Sequence, residues 1–273
     1  FLPSRRGAPS RGSAEMTISK GTVLVTGASR GIGRATVEAV LARGGKVVAV
    51  ARNERLLDAL QASWPNRIRA LPADLQDLDR IPELASRAVD AFGSLDGLVN
   101  CAGIACYEPV GAIGLESVQA QLRVNLLAPL LLSQALAVHF RARGGSIVNV
   151  SSTLSERAAP HTLVYAATKA ALNAVTKSLA LELAPSGVRV NAVLPGGVET
   201  DMLRAPRLEP GETLEPGEIE ARVTSQLAVL AALHPLGGRL GTPEEVAAVI
   251  LNVLDQTWQT GSLVTIDGGL SLA

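Results

Sequence analysis

Seven short apolar runs recur along this chain, and their spacing constrains the fold more than any other feature. "TVLVT" (22–26), "KVVAVA" (46–51), "IRALP" (68–72), "LDGLVN" (95–100), "SIVNVS" (146–151), "VRVNAVL" (188–194) and "LVTID" (263–267) are all of strand length. Their apolarity is continuous rather than alternating, which predicts strands covered on both faces. Between them lie segments long enough for helices, at 31–43, 54–63, 79–92, 115–142, 163–183 and 243–254. Strand and helix in alternation predict an α/β fold, a parallel doubly wound sheet of about seven strands in a single domain over 20–273. Ligands on such sheets bind beyond the carboxyl ends of the strands, where the winding reverses, so those ends are where chemistry is expected. One stretch, 199–236, breaks the rhythm with four prolines and a cluster of glutamates. An insertion there reads as a mobile substrate lid.

Bulk properties narrow the partners. Twenty-five basic residues balance twenty-five acidic ones, which argues against nucleic acid and anionic membranes. The chain is 47% hydrophobic but only 3% aromatic, which suits tight helix-on-sheet packing and not a stacking platform for single strands. Cys101 and Cys106 stand alone, with no zinc or other metal spacing and no disulfide framework, so reduced thiols in a cytoplasmic setting are expected. "NLLAPLLLSQALAV" is interrupted by Pro129, Ser133 and Gln134 and reads as a buried helix rather than a membrane span. Residues 1–19 read as a disordered or extraneous segment, with Met16 a plausible start; as a targeting remnant they would point instead to an organellar matrix.

"TGASRGIG" (26–33) follows the first strand and opens the first helix. Gly27, Gly31 and Gly33 there let backbone amides and a helix N-terminus approach a pyrophosphate. After the second strand, the position that would carry an acid for a ribose 2'-hydroxyl holds Ala51, followed by Arg52. An arginine binds a 2'-phosphate where an acid repels it, and Arg30 adds a second cation, so NADP(H) is expected over NAD. "VYAATKAAL" (164–172) places Tyr165 four residues ahead of Lys169, one helical turn apart. A fixed cation about 4 Å from a phenol is worth about 4 kcal/mol at an effective dielectric of 20, enough to bring a pKa of about 10 toward 7. That is the most such a cation could do, and the outcome depends on what else the chain places beside the phenol.

Together these motifs resemble the short-chain dehydrogenase/reductase family over about residues 20–273, which implies a Rossmann-type fold. The cofactor turn, "NCAG" (100–103), Asn125 in "RVNLLAP", Ser152 thirteen residues before Tyr165, "YAATK" and "PGGVETDM" (195–202) occur in the family's order. The resemblance implies an NADP(H)-dependent oxidoreductase that reduces a ketone or aldehyde to an alcohol, or the reverse. Tyr165 would be the acid/base, Lys169 would lower its pKa and hold the ribose, Ser152 would hold the carbonyl oxygen, and Asn125 would bind a relay water. Cofactor contacts would come from Gly27, Ser29, Arg30, Gly31, Ile32 and Gly33, from Arg52, Asp74 and Leu75, and from Asn100, Ala102 and Gly103. Pro195, Gly196, Val198 and Thr200 would join Tyr165 and Lys169 around the nicotinamide end. Cys101 departs from the family's second asparagine, and His161 and His234 receive no role. A narrower alternative is a 3-oxoacyl carrier-protein reductase; another is a catalytically silent NADP-binding interaction protein. The family resemblance, with apolar surface on more than one face of 115–142 and 163–183, implies a homo-oligomer, a tetramer or dimer.

Overall fold

The computed structural model describes Thr17, residues 21–207 and residues 212–273. Apart from Thr17, the expected extraneous segment 1–19 lies outside the described residues, as does 208–211 within the expected lid. The seven strands are β1 (Thr22–Thr26), β2 (Lys46–Ala51), β3 (Ile68–Pro72), β4 (Gly97–Asn100), β5 (Gly145–Val150), β6 (Val188–Pro195) and β7 (Leu263–Ile266). They form one parallel sheet in the order β3-β2-β1-β4-β5-β6-β7, so the winding reverses between β1 and β4. The helices are α1 (Gly31–Ala42), α2 (Glu54–Ser63), α3 (Ile81–Asp90), α4 (Leu115–Leu122), α5 (Ala128–Arg143), α6 (Leu163–Leu183), α7 (Pro216–Ala232) and α8 (Pro243–Asp255).

The period of two along each strand sorts the core into two layers. Val23 and Val25 of β1 face α1 and α8, where Val37, Leu41, Ile250 and Leu254 close over them. Leu24 faces the other way, with Leu84, Leu132, Leu136 and Phe140 of α3 and α5. Full burial of a Leu or Val side chain is worth about 1.5–3 kcal/mol, which is why the strands read as unbroken apolar runs. The Leu115–Arg143 stretch is long and apolar enough, by length and composition, to cross a membrane. Its buried Leu132, Leu136 and Phe140 pack on the core, which gives that apolarity a structural use.

That stretch departs from the single helix expected over 115–142. Between α4 and α5 the chain widens into a π turn over Arg123–Leu127, centred on Asn125. Pro129 stands four residues after Asn125 and has no N–H, so the α-helical hydrogen bond to the Asn125 carbonyl is unavailable. In 199–236, α7 accounts for part of the glutamate cluster. Glu215 and Glu218 form a reciprocal capping box at its start, with Pro216 in the first turn.

Candidate active site

Where β1 ends, Thr26 turns its hydroxyl across the switch point. It donates to the Val99 carbonyl at 3.4 Å and accepts from the backbone N–H groups of Cys101 and Ala102 at 3.0 and 3.1 Å. This ties the β1 turn to the β4 turn so closely that a Cβ at Gly27 would stand 3.0 Å from the Ala102 backbone, at a φ of +69°. A Cβ at Gly33 would overlap the Gly27 carbonyl. The turn is thus a bare backbone cradle at the N-terminus of α1, the shape and dipole that suit a pyrophosphate.

The cradle forms one end of a cleft of about 970 Å³ that runs along the carboxyl ends of the strands. Gly27, Ser29, Arg30, Gly31, Ile32 and Gly33 line it from the β1 turn, and Arg52, Asp74 and Leu75 from the ends of β2 and β3. Ala102 and Gly103 line it beyond β4, and Pro195, Gly196, Val198 and Thr200 beyond β6. Arg52 is exposed and forms no ion pair among the described residues. Arg30 is likewise exposed and lies 3.4 Å from Asp201, a contact that water screens.

Asn100, expected among the cofactor contacts, closes β4 with its side chain turned into the sheet. Its side chain donates to Asn149 Oδ1 at 2.9 Å, and Asn149 donates to Thr176 Oγ1 at 2.9 Å, a buried chain of bonds linking β4, β5 and α6. The local cause is the strand period: residues 100 and 149 face each other in register on the α6 side.

Ser152, Tyr165 and Lys169 meet at the floor of the cleft. The Ser152 side chain lies close enough to the Tyr165 phenol to favour its ionised form. Ser152 Oγ accepts from the Leu154 N–H at 3.1 Å, which fixes its rotamer at the start of a short 3-10 turn. Lys169 is only 3% exposed, and its ammonium donates to the Val150 carbonyl at 2.8 Å. Asn125 is fully buried and does not line the cleft; its side chain brackets Ile104, accepting from the N–H at 2.9 Å and donating to the carbonyl at 2.8 Å. A second donation, at 3.2 Å, reaches Thr168 Oγ1 on α6. The amide is therefore a clamp between the β4 turn and the π turn, and the water site expected on Asn125 does not fall to its side chain. A Cβ on Gly103 would sit 3.5 Å from Asn125 Oδ1 and 3.6 Å from Lys169 Nζ, so glycine keeps that space open.

The electrostatics also differ from the simple pair. Burial raises the Tyr165 phenol above its ordinary value, with the neighbouring Tyr107 adding to the rise and Ser152 opposing it. Burial lowers Lys169 from 10.5 to about 8. The ammonium sits 5.7 Å from the Tyr165 ring centroid and is turned toward Val150. A Coulomb argument on two side chains omits what desolvation does to both, and here desolvation wins. Cys101 lines the cleft close enough to feel Lys169, yet burial pushes its thiol up to about 12, so it stands there as a neutral packing group.

Two further residues shape the cleft without any motif to announce them. His234, buried just after α7, accepts the Gly197 N–H on Nε2 at 3.0 Å, and its Nδ1 lies 2.8 Å from the Leu230 carbonyl, which sets the proton on Nδ1. It anchors the loop after β6 to α7. Arg207 stacks over the Tyr107 ring at 4.4 Å, and both line the cleft. His161, also on the cleft, adopts a φ of +62°, and its carbonyl accepts from the Glu108 N–H at 3.1 Å.

Comparison with known proteins agrees with this arrangement. A family profile described as short chain dehydrogenase matches residues 21–210. L-xylulose reductase from Homo sapiens is 37% identical over 258 residues, covering 93% of this chain and 98% of its own length. The short-chain reductase protein NovJ from Streptomyces niveus is 37% identical over 269 residues, covering 96% and 98%. Among solved structures, ligand-free aldohexose dehydrogenase from Thermoplasma acidophilum superposes with a TM-score of 0.81 at 29% identity, covering 94% of this chain and 96% of that one. ElxO with NADP bound superposes at 0.80 and 26% identity, covering 93% and 100%. With sheet order, cradle and relatives in agreement, the chain belongs to the short-chain dehydrogenase family of oxidoreductases.

Proposed function

We propose that the protein is an NADP(H)-dependent oxidoreductase that interconverts a carbonyl and an alcohol, with Tyr165 as the acid/base. The observation that carries the reading is the Tyr165 phenol, kept protonated by burial beside Ser152 and Lys169 on a cleft that begins at a glycine cradle. The bare backbone at Gly27 and Gly33 fits a pyrophosphate, and unpaired Arg52 beyond β2 fits a 2'-phosphate. When bound, the reduced nicotinamide supplies the hydride. Ser152 donates to the substrate oxygen and holds it beside Tyr165, which gives up its proton as charge develops there. Lys169, hydrogen-bonded to Val150 below the phenol, presents its ammonium toward the ribose side of the cleft. The Asn125 carbonyl, deprived of its α-helical donor by Pro129, is the group that would hold a relay water. Residues 199–207 and 212–236 cover the substrate end in this reading, with His234 as an anchor to the loop after β6. A homo-oligomer is part of the same proposal, supported by the exposure of Val138 on α5 and Leu181 on α6.

The test is a panel of ketones, aldehydes and alcohols with both nicotinamide cofactors, followed by absorbance of the reduced form. Wild type should prefer NADPH, and Tyr165→Phe should lose about 10²- to 10⁴-fold in turnover while still binding NADPH. Full turnover by Tyr165→Phe would remove the acid/base assignment, and a preference for NADH would remove the role of Arg52. Turnover confined to carrier-bound 3-oxoacyl substrates would narrow the function to that class.

A further inference from the structure

The substrate end of the cleft carries positive charge that the reaction described above does not use. Arg207 lies in the segment between β6 and α7, with its guanidinium stacked on the Tyr107 ring at 4.4 Å. Its backbone is fixed: the N–H donates to Gln226 Oε1 and the carbonyl accepts from Arg222, both at 3.2 Å. Its Nε, by contrast, is buried with no hydrogen-bond partner. Among the described residues no carboxylate pairs with it, and Glu212, further along the same segment, is held by Arg222 at 2.6 Å. Arg157, from the loop after β5, also lines the cleft and is in no ion pair among the described residues. The acids that line the cleft are Asp74, beyond β3, and Asp201, which faces Arg30 across from the glycine cradle. Neither neutralises the arginines at the far end.

Position makes this charge relevant to substrate. Tyr107 is near enough to Tyr165 for its charge to act on the reactive phenol, so Arg207 stands one aromatic ring from the chemistry. Arg207 lines the cleft with no carboxylate to offset it among the described residues, so its charge is available to an anion that enters there. A guanidinium placed over a ring is restricted in where it can swing, and its planar fork can grip a carboxylate or phosphate with two parallel bonds. Leu154, Leu203, Leu230 and Leu233 line the same cleft and offer an anion nothing, so Arg207 and Arg157 supply the positive charge there.

We infer that the natural substrate is an anionic carbonyl compound, whose carboxylate or phosphate is gripped by Arg207, with Arg157 as the second cation, while its carbonyl lies between Ser152 and Tyr165. This rests on the carbonyl-reductase reading of the same site and adds the substrate class. In these terms Arg207 is a specificity-determining residue that contacts substrate.

The experiment measures kcat/KM with NADPH on matched sets: oxo acids, their methyl esters, carbonyl compounds bearing a phosphate, and neutral diketones. Wild type should favour the anionic member of a matched pair by about 10- to 100-fold, the range of one charge-assisted hydrogen-bonded contact. In Arg207→Gln that ratio should collapse toward one, chiefly through KM, and Arg207→Lys, which keeps the charge without the fork, should fall between. NADPH binding by each variant reports that it is folded. Preference for the oxo acids assigns a carboxylate, and preference for the phosphorylated compounds assigns a phosphate. Esters and acids used equally by wild type, or a ratio unchanged in Arg207→Gln, would overturn the inference and leave the carbonyl-reductase reading standing. Absence of turnover on every carbonyl compound, neutral ones included, would overturn both.

Discussion

Lys169 gives the sharpest physical test of how this site is built. It is 3% exposed, and removing its ammonium from water lowers its pKa from 10.5 to about 8. Between those values the folded protein holds fewer protons than the unfolded chain, so this group's contribution to stability rises with pH through that window. Below about 8 the buried charge is a constant cost. Integrating the linkage relation from pH 7 to pH 9.5 gives a gain of about 2 kcal/mol from this one side chain.

Lys169→Met keeps the chain length and removes the titration. It also strips the Val150 carbonyl of a donor at 2.8 Å, a loss of about 1–3 kcal/mol that does not vary with pH. The stability difference between the two proteins should therefore shift by about 2 kcal/mol in favour of wild type between pH 7 and pH 9.5. Urea unfolding of both proteins at both pH values and one protein concentration measures it, since effects common to both cancel. The upper pH stays below 10 because the buried Tyr165 phenol, whose pKa is raised from 10.0, makes stability fall as pH climbs beyond that point. A difference that is the same at both pH values would refute the claim that desolvation governs Lys169.

Three further outcomes are expected. Thr26→Val keeps the shape but removes the acceptor of the Ala102 N–H, while the Cys101 N–H keeps the Val99 carbonyl at 3.1 Å; it should cost about 1–3 kcal/mol in denaturant unfolding and weaken NADPH binding measured by fluorescence. His234→Ala removes the bridge between Gly197 and Leu230 and should cost about 1–3 kcal/mol, with a raised KM for cofactor as the loop after β6 loosens. Cys101, its thiol pushed up to about 12, should remain unmodified in folded protein treated with iodoacetamide at pH 8, as read by peptide mapping.

Most of the fold was legible because continuous apolar runs can be satisfied only by strands covered on both faces, and all seven lie where those runs fall. The expected single helix over 115–142 failed at Asn125, since a π turn leaves the hydrophobic period nearly unchanged. The signal that marks it is Pro129, four residues on, which withholds the one donor an α-helix needs there. The side on which the Asn100 amide lies was hidden for a related reason. A motif fixes a residue's position along the chain, whereas the strand period decides which side its amide faces, and that side holds Asn149 and Thr176. His234 and the Arg207–Tyr107 stack could not be read at all, because their partners lie 37 residues away in one case and 100 in the other, joined only by the fold.

The spacing of Tyr165 and Lys169 was legible in the sequence, whereas the effect of burial on both groups was not, and the reason bears on function. Spacing on a helix supplies a distance, and distance supplies an attraction between phenolate and ammonium. What spacing omits is that both groups sit under the rim of a cleft, where each charged form has lost its water. The phenol therefore holds its proton and the amine is the easier of the two to neutralise. A site in that state is already charged with the proton that carbonyl reduction consumes. Alcohol oxidation would instead need the phenol to give it up first, so a cation must be brought beside it before that direction can run. Beyond Tyr107, Arg207 has no carboxylate partner among the described residues and supplies a fixed positive charge on the cleft. On this arrangement an incoming anionic carbonyl compound would find both its counter-charge and its proton in place.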